Sequence, residues 1–278
     1  ELEQEWEWTH RYSTQPQILE YANHVADRFN LRQHIIFNSK VISAQYNDKL
    51  MNWKIETSSD TYIAHYCIMA TGSISSPNKP DFKGLDSFQG QWYLTGRWPK
   101  NEVDFTGKRV GIIGTGSSAV QAIPVIAQEA KHLTVFQRTA NYSLPAHNRL
   151  LGKEEVKSVK ANYSNIRAKA RNNRGGAAGT VVGNKSAFDV TRQERNQAYE
   201  SQWNEGGLGI TSVFNDILAN EKANITAANF VRSKIHAIVN DRKTAELLSP
   251  KNTIGCKRVC VDTNYYSTYN RPNVDLID

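Results

Sequence analysis

The stretch that decides the fold is Lys108 to Thr139, KRVGIIGTGSSAVQAIPVIAQEAKHLTVFQRT. It begins with an apolar, β-rich run from Val110 to Ile113, turns at Gly114, and continues with apolar residues at helical spacing to about Ala130. A second apolar run, Leu133 to Gln137, follows. The order of strand, glycine-rich turn, helix and strand is that of a dinucleotide-binding βαβ unit, so we predict an α/β fold.

The turn has the pattern G-x-G-x-x-A, and each small residue has a physical reason. Gly114 allows a tight turn, Gly116 lets the backbone approach a pyrophosphate, and Ala119 allows the helix to pack closely on the strand. The anion is expected at the free N–H groups and positive dipole end of that helix. The residues predicted to contact the dinucleotide here are Gly114, Thr115, Gly116, Ser117, Ser118 and Gln121.

The end of the second strand predicts which dinucleotide binds. NAD-binding units place an acidic residue there to hold the ribose 2′-hydroxyl. This chain has Arg138 and Thr139 instead, and a guanidinium with a hydroxyl suits a 2′-phosphate. We therefore predict NADP(H), against the alternative that Arg138 is a solvated charge and the glycines form only a turn.

Composition excludes several classes of function. The 278 residues carry a net charge of +7 spread along the chain, which favours a solvated surface over nucleic-acid binding. We find no apolar run long enough to cross a membrane and no signal peptide. Cys67, Cys256 and Cys260 are too few for a disulfide framework or a zinc site, so no metal is expected. We interpret them as core thiols of a cytoplasmic protein, with Cys256 and Cys260 facing the same way on one strand.

The pattern of apolar and turn-forming residues predicts the remaining elements of the chain. An apolar face indicates a helix from Gln15 to Phe29, and residues 154–248 are largely helical, with a glycine-rich loop at 172–183. Residues 141–151 are expected to be irregular, and both ends are expected to be internal to a longer protein. The predicted short strands are Ile35 to Phe37, Lys40 to Asn47, Asn52 to Thr57, Thr61 to Met69 and Val274 to Ile277.

Several segments together resemble the Baeyer–Villiger monooxygenases, flavin enzymes that use FAD and NADPH. The family fingerprint F-x-G-x-x-x-H-x-x-x-W-P is matched by Phe88, Gly90, Trp98 and Pro99, whereas its His position holds Leu94. Leu94 can pack but cannot titrate, so a catalytic role for that His predicts impairment and a folding role predicts tolerance. The other family-like segments are Arg11 to Pro16, Ala70 to Gly72 and Phe136 to Thr139.

The resemblance implies two Rossmann-like domains, of which the FAD-binding one is incomplete here. It assigns residues 1–72 to the latter part of the FAD-binding segment, 73–145 to the NADP domain with its linker fingerprint, 146–254 to a helical insertion, and 255–278 to the return into the NADP domain. The implied cofactors are FAD and NADP, and Val41 is expected to contact the FAD adenine through its backbone.

The implied reaction uses NADPH and O₂ to insert one oxygen atom next to a ketone carbonyl, giving an ester or lactone by way of a flavin peroxide. The family's G-x-K-R segment is matched by Gly255 to Arg258. By resemblance, Arg258 is the catalytic group and Lys257 a second cation on the 2′-phosphate. A guanidinium stays cationic at every working pH, so it stabilises an oxyanion without an easily lost proton.

Two alternatives stay open. One is a flavin monooxygenase that oxidises sulfur or nitrogen nucleophiles, and the other is a non-catalytic NADP(H)-binding module, which Leu94 and the lack of an earlier G-x-G-x-x-G favour. The 278 residues alone are expected to be inactive, with enzymatic activity belonging to the longer parent protein.

Overall fold

The structure, a computed structural model, describes residues 2–72, 74–173, 176 and 182–278, with the backbone only at residues 2 and 3. Its contacts divide the chain into two compact units. The large unit comprises Glu3–Thr14 with Glu102–Asp278, and the small unit comprises Gln15–Asn101. The predicted domain boundaries fall at other positions and stay a prediction.

The elements follow in chain order. The helices within the described residues are α1 (Leu2–Glu5), α2 (Gln15–Arg28), α3 (Ser117–Glu129), α4 (Lys153–Ala161), α5 (Tyr163–Arg171), α6 (Arg192–Glu205), α7 (Glu221–Ile238), α8 (Arg242–Leu248) and α9 (Tyr265–Thr268). The strands are β1 (Val41–Asn47), β2 (Asn52–Thr57), β3 (Thr61–Ala64), β4 (Arg109–Ile113), β5 (His132–Phe136), β6 (Ser143–Pro145), β7 (Cys260–Asp262) and β8 (Val274–Ile277). Within the described ranges, no helix is both long and apolar enough to cross a membrane.

The small unit consists of α2 and an antiparallel sheet in the order β1-β2-β3. The β1–β2 hairpin turns where the side chain of Asn47 accepts bonds from the N–H groups of Lys49 and Leu50, and Met51 takes the left-handed conformation at φ 48°. Side-chain bonds of Asn to its own following backbone favour such turns. The predicted helix and the two predicted strands of this hairpin are confirmed.

One predicted strand in the small unit is wrong, and another is predicted too long. Residues 35–37 form no strand; a 3-10 helix, Leu31–His34, precedes them, and Phe37 is 62% exposed. These residues favour a strand, but no strand in the described part of the chain pairs with them. The strand expected to run to Met69 ends at Ala64, because Ala64 pairs with Trp53 and the partner strand turns away just beyond it.

The large unit is built on a parallel sheet in the order β4-β5-β8. Helix α3 connects β4 to β5, which is the predicted βαβ unit, and the predicted final strand pairs with β5. On β5, Leu133 and Val135 are fully buried, as expected for a strand covered by helices. The α/β fold with a Rossmann-like unit is therefore confirmed.

A second, two-stranded parallel sheet joins β6 to β7, with Ser143 opposite Cys260 and Pro145 opposite Asp262. Residues 141–151 were expected to be irregular, and this part of the prediction is wrong for β6. Three residues are too short a run to give a periodic pattern, and β6 is fixed by its long-range pairing. Further along, Leu151 N–H donates to Thr9 O, which attaches the N-terminal segment to the large unit.

Helices dominate the chain between β6 and β7, as predicted. Thr191 and Glu194 form a capping box at α6, and Asn220 and Asp241 cap α7 and α8 through their side chains. Helix α6 ends at Glu205, and the residue that follows it, Gly206, has φ 77°. The predicted glycine-rich loop at 172–183 lies largely outside the described residues, at 174, 175 and 177–181.

The hydrophobic core lies in the large unit and combines α3, β5 and the helices from α6 onward. The rings of Tyr265 and Tyr266 are buried in this core, tilted against each other at a centroid distance of 5.0 Å. Trp203 packs against this core from its edge.

Candidate functional site

The glycine-rich turn follows the carboxyl end of β4. Gly114 has φ 99°, a left-handed conformation that favours glycine, and its N–H donates to Phe136 O at 2.8 Å. Gly116 has φ −81°, so its backbone does not require glycine. A Cβ on Gly114 or Gly116 would meet no atom within 4 Å, which leaves open space along this side of the turn. The turn therefore offers backbone that a ligand can approach closely.

Helix α3 begins at the turn. Its first residue is Ser117, and its N-cap, Gly116, provides no side-chain cap. The first N–H groups of an uncapped helix remain available to an anion, and the helix dipole adds a partial positive charge. One turn along, the Gln121 amide donates to Ser117 O at 3.2 Å. Residues 114–118 thus fit a pyrophosphate, and Gln121 supports the start of the helix.

Arg138 and Thr139 follow β5 at the same edge of the sheet, and both are exposed. The buried hydroxyl of Thr115 donates to Thr139 O at 3.1 Å, which ties this corner to the glycine-rich turn. Carboxyl ends of neighbouring parallel strands meet at one edge of a sheet, where ligands bind in open α/β folds. The structure therefore brings these two predicted parts of the site together.

Lys257 and Arg258 precede β7 and are also exposed. The Asn141 amide, three residues after Arg138, donates to Arg258 O at 3.2 Å. The backbone of the G-x-K-R segment is thereby held beside the corner that carries Arg138. Within the described residues, none of the three cations Arg138, Lys257 and Arg258 forms an ion pair, so their charges remain available to an anionic ligand.

The prediction that all three cysteines are core thiols is wrong. Cys260 is buried, Cys67 is half-buried and Cys256 is exposed. β7 begins only at Cys260, and the turn at Gly255, with φ 88°, carries Cys256 to the surface, so the two thiols do not face the same way on one strand. Burial raises the pKa of the Cys260 thiol, although hydrogen bonds from Asn141 and Ser117 oppose that rise. No group of three or more His, Cys, Asp or Glu side chains in the described ranges is arranged to hold a metal.

Asn141 was missed by sequence reasoning. Its amide donates to Arg258 O and also to the Cys260 Sγ at 3.2 Å, so it joins two segments that are far apart in the chain. A lone Asn in a loop gives no sequence signal for such a role.

Of three further positions, His147 belongs to the large unit, whereas Val41 and Leu94 belong to the small unit. His147 is exposed at φ 44°, and its ring is 3.0 Å from Trp203 O. Val41 belongs to the small unit and is 55% exposed. Leu94 accepts a backbone bond from Arg97 N–H at 2.8 Å, a contact that does not depend on the side chain.

Comparison of the chain with known proteins shows the family to which it belongs. Residues 2–199 match the model of the pyridine nucleotide-disulphide oxidoreductases, which is most of the chain. The chain therefore belongs to the pyridine nucleotide-disulphide oxidoreductase family. Within it, homologues at 40–43% identity over the whole chain are Baeyer–Villiger monooxygenases. The resemblance predicted from the motifs is confirmed.

Three relatives illustrate the range. A Baeyer-Villiger monooxygenase of Pseudooceanicola batsensis is 43% identical over 100% of this chain and 51% of its own length. The cyclohexanone 1,2-monooxygenase of an Acinetobacter species is 40% identical, again over 100% and 51%. Phenazine N-monooxygenase PhzNO1 of Lysobacter antibioticus is 38% identical over 100% and 51%. The chain thus spans about half the length of the relatives it matches.

A solved structure gives the same result for the fold. The complex of OTEMO with FAD and NADP superposes with a TM-score of 0.95 at 38% identity, covering 100% of this chain and 53% of that one. The predicted fold class agrees with this neighbour, and the predicted cofactor pair is the pair bound in it.

Proposed function

We propose that this chain forms the NADP(H) site and part of the FAD-binding region of a monooxygenase. The proposed reaction inserts one oxygen atom from O₂ next to a ketone carbonyl, giving an ester or lactone with consumption of NADPH. The main support for this proposal is one edge of the large unit. An open glycine-rich turn, an uncapped helix and the cations Arg138, Lys257 and Arg258 meet there.

This geometry supports the proposed NADP(H) contacts. The backbone of residues 114–118 binds the pyrophosphate, since open space and free N–H groups face it there. Arg138, Thr139 and Lys257 bind the 2′-phosphate, and Gln121 supports the helix start. Charge-assisted bonds from a guanidinium and an ammonium to a phosphate are roughly twice as strong as neutral ones.

FAD is assigned to the small unit together with further parts of the longer protein. We propose that the backbone of Val41, at the start of β1, contacts the adenine. We keep the predicted domain assignment: residues 1–72 for the FAD segment, 73–145 and 255–278 for the NADP domain, and 146–254 for the insertion. When bound, FAD supplies the redox chemistry that activates O₂.

Arg258 is proposed as the catalytic residue. Its side chain is exposed and free of carboxylate partners in the described part of the chain, so its charge remains available to the reacting atoms. A guanidinium keeps its proton at neutral pH, so it stabilises negative charge on oxygen as the ketone is attacked. A lysine would present a point charge that shifts its pKa when desolvated.

Oxidation of a nitrogen nucleophile is a second candidate. It is supported by the similarity to phenazine N-monooxygenase PhzNO1. The ketone reaction is favoured because several of the similar proteins carry ketone names, cyclohexanone 1,2-monooxygenase among them. We also propose a cytoplasmic location, in keeping with three free cysteines.

The test is the variant Arg258→Ala in the full-length enzyme, with Arg258→Lys beside it. We expect flavin content and thermal stability near those of the parent, and NADPH still to be consumed. Product ester per NADPH should fall at least about a hundredfold, since a lost electrostatic contact in a water-excluded site costs about 3 kcal/mol. The Lys variant should recover little of this. Ester at near-parental yield from Arg258→Ala would show that Arg258 is only a structural cation.

A further inference from the structure

We infer that two asparagine side chains, Asn224 and Asn141, position the segment Gly255–Arg258 by holding its two ends. The inference rests on the proposed function, since it assigns positioning residues to the proposed NADP(H) and catalytic segment. It also gives a role to the helical insertion, because Asn224 belongs to α7.

The segment itself has little packing to hold it. All four residues from Gly255 to Arg258 are exposed. The chain turns at Gly255, with φ 88°, and Cys256 N–H donates to Thr253 O at 3.2 Å. An exposed turn with few buried contacts belongs to the least stable part of a fold. The direction in which Lys257 and Arg258 point therefore depends on what fixes the backbone at each end.

Asn224 fixes the first end. Its carboxamide oxygen accepts from Ile254 N–H at 3.1 Å, and its amide donates to Ile254 O at 2.9 Å. The same amide donates to Ile217 O at 3.0 Å. Asn224 is 4% exposed, and Ile217 and Ile254 are fully buried. Each of these bonds replaces water that the buried backbone groups cannot reach, so the residue just before the turn is held firmly.

Asn141 fixes the other end. The β6–β7 ladder begins near the bond from Cys260 N–H to Tyr142 O, at 2.8 Å. One step outward, the Asn141 amide donates to Arg258 O at 3.2 Å and to the Cys260 Sγ at 3.2 Å. The side chain thus extends the ladder to Arg258. Its own oxygen has no hydrogen-bond partner in the described chain, so the amide nitrogen carries this contact.

Asn224 and Asn141 act on one site because Asn141 lies two residues after Thr139. Thr139 is bound through its carbonyl to Thr115 in the glycine-rich turn. Asn141 therefore links the backbone that carries Lys257 and Arg258 to the corner formed by Arg138 and Thr139. Asn224 links the same backbone to the helical insertion. Both are positioning residues, acting through the backbone of the segment.

The test uses the full-length holoenzyme and a matched control. Asn141→Leu keeps the side-chain volume and removes both donated bonds. Asn273→Leu is the control, because Asn273 is also half-buried and its amide also donates to two acceptors. These are Ala127 O at 3.0 Å and Ala130 O at 2.9 Å, at the opposite edge of the sheet. Asn224→Leu is expected to have the larger effect, because Asn224 makes three buried hydrogen bonds. If Asn224→Leu fails to fold, Asn141→Leu alone decides whether the asparagines position the segment.

Two readouts need no turnover. Hydrogen exchange is followed at the Cys256 and Cys260 amides, and NADP⁺ binding is measured by titration calorimetry. We expect Asn141→Leu to speed this exchange roughly tenfold and to weaken NADP⁺ binding roughly tenfold, the equivalent of one lost hydrogen bond. Asn273→Leu should lower the melting temperature as much as Asn141→Leu does. Its hydrogen exchange at Cys256 and Cys260 and its NADP⁺ binding should stay at parental values.

Parental exchange and parental NADP⁺ binding in Asn141→Leu would overturn the inference, as would equal losses in Asn273→Leu. The proposed function fails by a different result, a parent enzyme that consumes NADPH but makes no ester or lactone from a ketone. An Arg258→Ala enzyme that still makes ester overturns only the catalytic role of Arg258. If the parent itself does not bind NADP⁺, the proposed cofactor assignment is wrong, and hydrogen exchange alone then decides whether the asparagines position the segment.

Discussion

The large and small units differ in burial far more than in secondary structure. In the large unit, Ile123, Leu133 and Ile235 are completely buried. In the small unit, none of the described residues between 15 and 101 is buried, and Ile42 and Ile68 are 69% and 90% exposed. Hairpin pairing and turn chemistry are local and form the small unit's sheet without a core. Hydrophobic stabilisation, by contrast, scales with the apolar area removed from water.

This difference bears on function, because the candidate NADP(H) site lies wholly in the large unit, where the backbone is supported by a core. A site held on rigid elements keeps its geometry better than one on a poorly packed sheet. We therefore expect NADP(H) binding and FAD binding to behave differently in this chain.

The largest expected difference is in flavin content. The sequence has one glycine-rich dinucleotide turn after a strand, and it belongs to the large unit. We expect the purified 278-residue chain to be colourless, without visible flavin absorbance. Absorbance spectra after incubation with FAD and gel filtration provide the check. A yellow protein with stoichiometric FAD would show that the small unit is a complete flavin site.

The next largest effect concerns stability. Leu133→Ala should lower the free energy of unfolding by ~2–5 kcal/mol, since it opens a cavity at a fully buried position. Ile63→Ala, at a position 63% exposed, should change it by less than ~0.5 kcal/mol. Urea denaturation of both variants measures the contrast. Similar losses at the two positions would mean that the small unit has a core of its own.

The smallest effect is a pH dependence within the large unit. Burial raises the pKa of Asp262 above its ordinary value near 3.8, although hydrogen bonds from Ser143 and the Tyr265 N–H oppose the rise. Because the folded protein then binds the proton more tightly, this contribution to stability is complete below the ordinary pKa and is lost as the pH rises through the raised one.

Asp262→Asn should therefore remove the decline in stability that accompanies a rise in pH through the raised pKa of Asp262. The Asn side chain can still accept from Tyr265 N–H, so the fold is retained. Melting temperatures from acidic to neutral pH measure this. An unchanged pH profile in the variant would show that Asp262 titrates normally.

The sequence predicted the large unit's βαβ element to within a residue or two, because pattern, turn chemistry and propensity agree there. It failed where long-range pairing decides the structure. Residues 35–37 have β propensity without a partner, β6 is a strand only because β7 lies beside it, and Cys256 leaves the strand through the turn at Gly255. The bonds from Asn141 to Arg258 and from Asn224 to Ile254 link positions 30 or more residues apart, so no local pattern contains them.

The central claim is that the large unit binds NADP(H) through the 2′-phosphate. Titration of the 278-residue chain with NADP⁺ and with NAD⁺, before and after Arg138→Ala, tests it most directly. We expect NADP⁺ to bind at least about tenfold more tightly than NAD⁺, since one charge-assisted phosphate contact contributes about 1.5–3 kcal/mol. The Ala variant should bind the two dinucleotides nearly equally. Equal affinities in the parent chain, or an Ala variant that weakens both dinucleotides alike, would contradict it.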